Sequence, residues 1–131
     1  MPKLVWSILA VLIVGVIWFV AISSIDAQKQ VDQLSFSEVQ GNIVSGARLL
    51  DVRTKEEFDE GHFVRAELFP LQDIEDGKLP DINKDSKIYL YCRSGNRSSQ
   101  AKALLEKAGY TSVVDLGGLA DVQRIGGNLT R

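Results

Sequence analysis

The chain has 131 residues, enough for one domain. A net charge of −2 and a pI near 5.4 argue against general polyanion binding, so no nucleic-acid partner is expected. One cysteine excludes an internal disulfide, a cysteine-built zinc site and a CxxC redox pair, and one histidine excludes a histidine-rich metal centre. No metal or cofactor is expected.

The apolar residues are unevenly spread: 18 of the first 22 residues are hydrophobic, and both tryptophans lie among them. The stretch that opens at Leu4 and closes at Ile22 has 19 residues, no charge and only Ser7 as a polar side chain. At about 1.5 Å per residue it matches the roughly 30 Å hydrocarbon core of a bilayer. Trp6 and Trp18 lie towards its two ends, where aromatic belts sit. It lacks the polar face of a core helix and exceeds the usual signal-peptide apolar region. Residues 1–27 are therefore read as an N-terminal transmembrane anchor, with a cleaved signal as the alternative, and residues 28–34 as a linker. Lys3 before the span weakly favours the N-terminus inside. The expected location is a bacterial inner membrane, single-pass, with residues 35–131 on the periplasmic side, or soluble periplasm if the segment is cleaved. The domain is expected to be monomeric.

Beyond the linker, short apolar runs alternate with helical stretches. Ser37-Glu38-Val39-Gln40 reads as a capping box opening a short helix. Arg48-Leu49-Leu50-Asp51-Val52 reads as a buried strand, and Thr54-Lys55-Glu56-Glu57 as a second capping box whose helix ends by Gly61. Glu67-Leu68-Phe69 reads as a short strand halted by Pro70. One or two helical turns over 71–78 close at Gly77. Lys87-Ile88-Tyr89-Leu90-Tyr91 is the clearest strand. The clearest helix runs over 98–108, with Ala101, Leu104, Leu105 and Ala108 on one face and Gly109 as its stop. Ser112-Val113-Val114-Asp115-Leu116 is a last strand. Strands separated by helices predict an α/β domain, its parallel sheet flanked by helices on both faces.

The chemistry is concentrated in Cys92-Arg93-Ser94-Gly95-Asn96-Arg97-Ser98. A buried strand ends at the cysteine, a tight loop follows, and a helix begins. Ligands of open α/β sheets bind at the carboxyl ends of strands. Loop amides and a helix N-terminus favour the thiolate there. Gly95 permits positive φ, and successive N–H groups can then point inward as an anion nest. Between residues 86 and 105 the charges are Lys87, Arg93, Arg97 and Lys102, with no acid, in a domain that is acidic as a whole. That local field suits a small anionic substrate. The bland alternative, a buried cysteine acting as a small hydrophobe, loses weight against this neighbourhood.

Cys-Arg-Ser-Gly-Asn-Arg-Ser resembles the active-site loop of the rhodanese domain family. Leu50-Asp51-Val52-Arg53, Glu57-Phe58, Gly61-His62-Phe63, Ala66 and Pro70 resemble the family's first signature, and Gly117-Gly118-Leu119 its C-terminal one. A membrane-targeting segment followed by one short domain is similar to exported single-domain rhodaneses of the phage-shock type. The resemblance implies a rhodanese-like fold and a thiosulfate sulfurtransferase. Cys92 would take sulfane sulfur from thiosulfate or a similar donor as a persulfide and pass it to cyanide or a thiol. The amides of Arg93, Ser94, Gly95, Asn96, Arg97 and Ser98 would cradle the persulfide, with Arg93 and Arg97 attracting the donor anion. Asp51 and Arg53, at a strand end on the same sheet edge, are secondary site residues; a structural ion pair is the plainer reading.

Two other functions compete. A related phosphatase or arsenate reductase uses Cys, five residues, then Arg, whereas four residues separate Cys92 from Arg97. A non-catalytic tethered rhodanese module for binding or sensing is the other, and the presence of Cys92 weighs against it. Two positions depart from the family pattern. Arg65 stands where a glycine usually precedes the alanine, so that turn is expected to differ. Val122 replaces an aromatic residue. His62 reads as a structural hydrogen-bonding residue, and Glu56, Glu57, Asp59 and Glu60 as a solvated helix face.

Overall fold

The computed structural model describes residues 33–131. The apolar stretch over residues 4–22, and most of the linker, lie outside the described residues. Among the described residues no helix is long and apolar enough to cross a membrane.

The elements run α1 (Phe36–Val44), β1 (Arg48–Asp51), α2 (Lys55–Glu60), β2 (His62–Phe63), β3 (Ala66–Leu68), α3 (Leu71–Glu75), β4 (Ile88–Tyr91), α4 (Asn96–Lys107), β5 (Val113–Asp115), α5 (Leu119–Arg124) and β6 (Leu129–Thr130). Four strands form a parallel sheet in the order β3-β1-β4-β5. The expected α/β architecture is present. The alternation of side chains along a strand divides the core into two layers. Leu50 and Val52 of the first strand segment, and Ile88, Leu90 and Cys92 of the fourth, face α3 and α4 with Ile74, Ala101, Leu105 and Tyr110. Leu49, Tyr89 and Tyr91 face the opposite way, towards Phe36, Val39, Phe63, Leu116 and Val122. Every residue of β4 is buried, as befits a central parallel strand covered on both faces.

Several boundaries differ from expectation. The first helix is capped by Ser35, whose Oγ accepts the Glu38 N–H at 3.2 Å. Ser37 instead pairs with that hydroxyl at 2.9 Å, so the cap lies two residues before the one expected. The other capping box holds: Thr54 Oγ1 accepts from Glu57 N, and the Glu57 carboxylate from Thr54 N. The fourth helix starts at Asn96 instead of Ser98, because left-handed Gly95 (φ 98°) supplies its N-cap and frees the Ser98 hydroxyl to turn inward. The sequence reading missed α5 and the two-stranded antiparallel ribbon of β2 with β6. These are a six-residue helix and a pair of two-residue strands, too short for periodicity to register. Arg65 adopts φ 64° itself, as the only non-glycine with positive φ among the described residues. The turn is therefore kept, at a local cost. Val122, the other departure, is fully buried.

Candidate active site

Parallel strands share one carboxyl edge, so the segments after β1, β4 and β5 collect there. Hydrogen bonds continue the ladder past the strands: Val52 N donates to Tyr91 O at 3.1 Å, Cys92 N to Gly117 O at 3.0 Å and Leu116 N to Leu90 O at 2.8 Å. The backbone of Cys92 is thus gripped from the neighbouring strand at the point where its side chain enters the site.

Cys92 is 1% exposed. Its Sγ accepts the Gly95 N–H at 3.0 Å and lies 3.5 Å from the Ser98 hydroxyl. That hydroxyl is also 3.1 Å from Gly95 O and 3.4 Å from Gly117 O. It can give its proton to an ionised sulfur, or turn to a carbonyl when the sulfur carries a proton. Burial is the largest influence on the thiol and pushes it up. The Ser98 hydroxyl and the amides of Ser98, Gly95 and Ser94 together outweigh it, so the thiol lies below its ordinary value. Of the six expected cradle amides, that of Gly95 donates to the sulfur, and those of Ser94 and Ser98 also help to lower the thiol.

The loop is held by the turn that follows β5. Gly117 (φ 87°) lets the chain reverse, and Gly118 pairs with Ser94 in an antiparallel bridge. Leu119 N donates to Arg93 O at 3.1 Å, while Asp115 and Asp121 secure the Gly117 and Gly118 amides at 2.8 Å each. A Cβ on Gly118 would lie 2.7 Å from Arg93 O. Only glycine allows this approach.

The two arginines of the loop differ. Arg93 is exposed and, among the described residues, has no ion-pair partner. Arg97 is engaged by Glu57: Nη1 donates to Oε2 at 2.6 Å and Nη2 to Oε1 at 2.8 Å. The Arg97 hydrogen bonds hold the Glu57 carboxyl down at about 2, against the opposing effect of burial. Glu57 is thus a bound member of the site and not part of a solvated helix face. Lys55 and Asp59 do form an exposed pair on that helix. Asn96 and Ser94 are exposed at the rim, and the Asn96 side chain accepts from Gln100.

Asp51 and Arg53 are buried side by side. Arg53 donates through Nε to Asp51 Oδ1 at 2.9 Å, and through Nη2 to Asp51 Oδ2 and Gly61 O, both at 2.7 Å. Tyr91, not singled out from the sequence, completes this network. Its hydroxyl donates to Asp51 Oδ2 at 2.6 Å and accepts the Phe63 N–H at 3.3 Å. Burial first, then the bond to Asp51, push the phenol far above its ordinary value, so it stays a neutral donor. Arg53 and Asp51 together with Tyr91 join the end of β1, the strand that leads into Cys92 and the segment around Gly61. His62 lies beside them, its ring stacked on Phe58 at 3.8 Å and its Nδ1 3.0 Å from Phe58 O, which is the expected structural role. Among the described residues no cluster of His, Cys, Asp or Glu could hold a metal ion.

The family model for the rhodanese-like domain matches residues 35–124. The chain belongs to the rhodanese-like family. This rhodanese-like domain is 37% identical over 76 residues to the thiosulfate sulfurtransferase PspE of Escherichia coli (strain K12), a match covering 56% of this chain and 71% of that protein. Among solved structures, the Rhodanese_3-like domain of an Anabaena protein matches with a TM-score of 0.59 and 34% identity, over 66% of this chain and all (100%) of that one. A rhodanese with anions from E. coli matches with a TM-score of 0.56 and 29% identity, over 66% of this chain and 99% of that one.

Proposed function

We propose that the domain is a sulfurtransferase that moves sulfane sulfur from thiosulfate, or a donor like it, to a thiophilic acceptor through a persulfide on Cys92. The observation that carries this reading is a buried sulfur that accepts the Gly95 N–H, lies 3.5 Å from the Ser98 hydroxyl and is held by its loop below the ordinary thiol value. In the first half-reaction the thiolate displaces sulfite from the outer sulfur of thiosulfate. The donor S–S bond breaks as the Cys92 S–S bond forms, and sulfite leaves with the bonding pair. In the second, cyanide or an acceptor thiolate attacks the outer sulfur and returns Cys92 as thiolate. The amides that stabilise the thiolate would also receive the persulfide anion. Four intervening residues between Cys92 and Arg97 make the loop one residue shorter than a phosphatase loop, which favours a single added sulfur over a tetrahedral oxyanion. The relatives named thiosulfate sulfurtransferase and rhodanese support the same chemistry.

The apolar stretch over residues 4–22 would tether this activity to the bacterial inner membrane with the domain on the periplasmic side. A reporter active only outside the cytoplasm, fused after Ser24, tests this; silence reverses the topology.

The function itself is tested by intact mass. Full-length protein incubated with thiosulfate and freed of donor should gain about 32 Da, one sulfur atom, and Cys92→Ser should gain nothing. An unmodified wild-type mass with thiosulfate and polysulfide alike would overturn sulfur transfer in favour of a binding module.

A further inference from the structure

The sequence shows four cations and no acid between residues 86 and 105, which suggests a strongly positive site. In the fold that charge is largely dispersed. Lys87 precedes β4, at the end of the strand opposite Cys92, and lies over the Tyr89 ring. Lys102 faces Glu106 at 3.8 Å one helical turn on. Arg97 is gripped by both oxygens of Glu57. Only Arg93, among the described residues of that run, keeps an uncompensated charge beside the loop.

We infer that Glu57, acting through Arg97, is a specificity-determining residue that cancels one positive charge at the loop and so favours singly charged sulfane donors over doubly charged ones. This rests on the sulfur-transfer reading above. Three features support it. The carboxylate is anchored by backbone as well as by Arg97, since the Thr54 N–H donates to Oε2 at 3.1 Å. Glu57 and Arg97 side chains are only 19% and 31% exposed, so solvent screens the pair incompletely. Arg97 also interacts electrostatically with Cys92, so its net charge is felt at the sulfur. The carboxyl stays ionised through any working pH, which makes the masking permanent.

The test compares thiosulfate, a dianion, with methanethiosulfonate, a monoanion. Both deliver their outer sulfur to the Cys92 thiolate, releasing sulfite or methanesulfinate with the bonding pair; cyanide then takes the sulfur. Glu57→Gln keeps the size, and the side-chain oxygen that caps Thr54, but removes the negative charge. An unmasked Arg97 should attract the dianion about twice as strongly, in energy, as the monoanion. Full-length Glu57→Gln should therefore gain about five-fold in kcat/KM for thiosulfate and about two-fold for methanethiosulfonate, mostly in KM. The difference should shrink at high salt. The double variant Glu57→Gln/Arg97→Gln should return the ratio to its wild-type value. An unchanged ratio, or an equal fall for both donors, overturns the inference and makes Glu57 a brace only. If wild-type protein moves sulfur from neither donor, the parent reading fails instead. Alkylation of Cys92 by neutral iodoacetamide across pH then decides the inference separately. Glu57→Gln should titrate lower than wild type; no shift, or an upward one from a loosened loop, overturns it.

Discussion

The contact between Gly118 and the cysteine loop makes Gly118→Ala a direct probe of how tightly that loop is held. Gly118 has φ −92° and ψ 178°, an extended conformation open to any residue, so backbone strain does not enter. The cost is steric. An added Cβ would lie 2.7 Å from Arg93 O, 2.9 Å from Ser94 Cα and 3.1 Å from Ser94 C. Ordinary contact begins near 3.4 Å, so the two backbone segments must part by about 0.7 Å. The segment that moves directly follows Cys92 and carries the Ser94 amide, which helps to lower the thiol. Overpacking of this kind costs about 1–3 kcal/mol, or roughly 5–20 °C in Tm for a domain of this size. A misplacement near 1 Å at a reacting group lowers rates about 100-fold, so persulfide formation should slow by at least about 20-fold. The assay is single-turnover mass gain with thiosulfate, alongside thermal unfolding. Gly46→Ala is the control: Gly46 has φ 107° and nothing within 4 Å of its would-be Cβ. That variant should lose stability and keep its rate. A Gly118→Ala protein with a rate within about three-fold of wild type would refute the tight coupling of the two loops.

Three further outcomes are expected. Tyr91→Phe leaves the buried Phe63 N–H without its acceptor and should cost about 1–3 kcal/mol in urea unfolding; a loss under about 0.5 kcal/mol would show that the Asp51–Arg53 pair carries the network alone. Arg65→Gly relieves a left-handed arginine, worth about 1–2 kcal/mol, against about 0.5–1 kcal/mol of added chain entropy. A rise of a few degrees in Tm is expected, and a fall would mean that the turn is not strained. The Glu57 carboxyl is depressed in the folded state, so its stabilisation is fully present above its ordinary value of 4.5 and is lost as pH falls towards about 2. The stability gap between wild type and Glu57→Gln should therefore hold from pH 7 to about 5 and close as pH falls towards about 2; a gap still intact at about pH 2 would contradict the ion pair.

What could be read from the residues was whatever leaves a local signal. The buried run Ile88-Tyr89-Leu90-Tyr91, the Thr54 capping box and the glycine after Cys92 each follow from spacing or backbone geometry within a few positions. What could not be read depends on pairing across distance. Glu57 and Arg97 are 40 positions apart, and the acidic neighbours of Glu57 make it look solvated. Tyr91 looks like one more apolar strand residue until the fold sets Asp51 beside its hydroxyl, again 40 positions away. The α5 helix and the β2–β6 ribbon exist only because the core offers them surfaces: Val122 fits under Gly127, and Phe63 meets Tyr91 edge-on at 4.9 Å. Arg65 shows the reverse situation, in which tertiary structure imposes a conformation that the residue disfavours.

The depth of Cys92 also determines which reagents can meet it. With 1% of its surface accessible, the resting sulfur offers bulky oxidants and electrophiles almost no approach. A sulfur added to it would stand about 2 Å further out along the new bond. The transferable atom would thus stand away from the buried one, within the loop whose Arg93, Ser94 and Asn96 meet solvent, while the atom that must be recovered stays behind. A large acceptor would have to offer its nucleophile on something slender, such as a chain terminus or an extended loop, to collect the cargo without entering the fold.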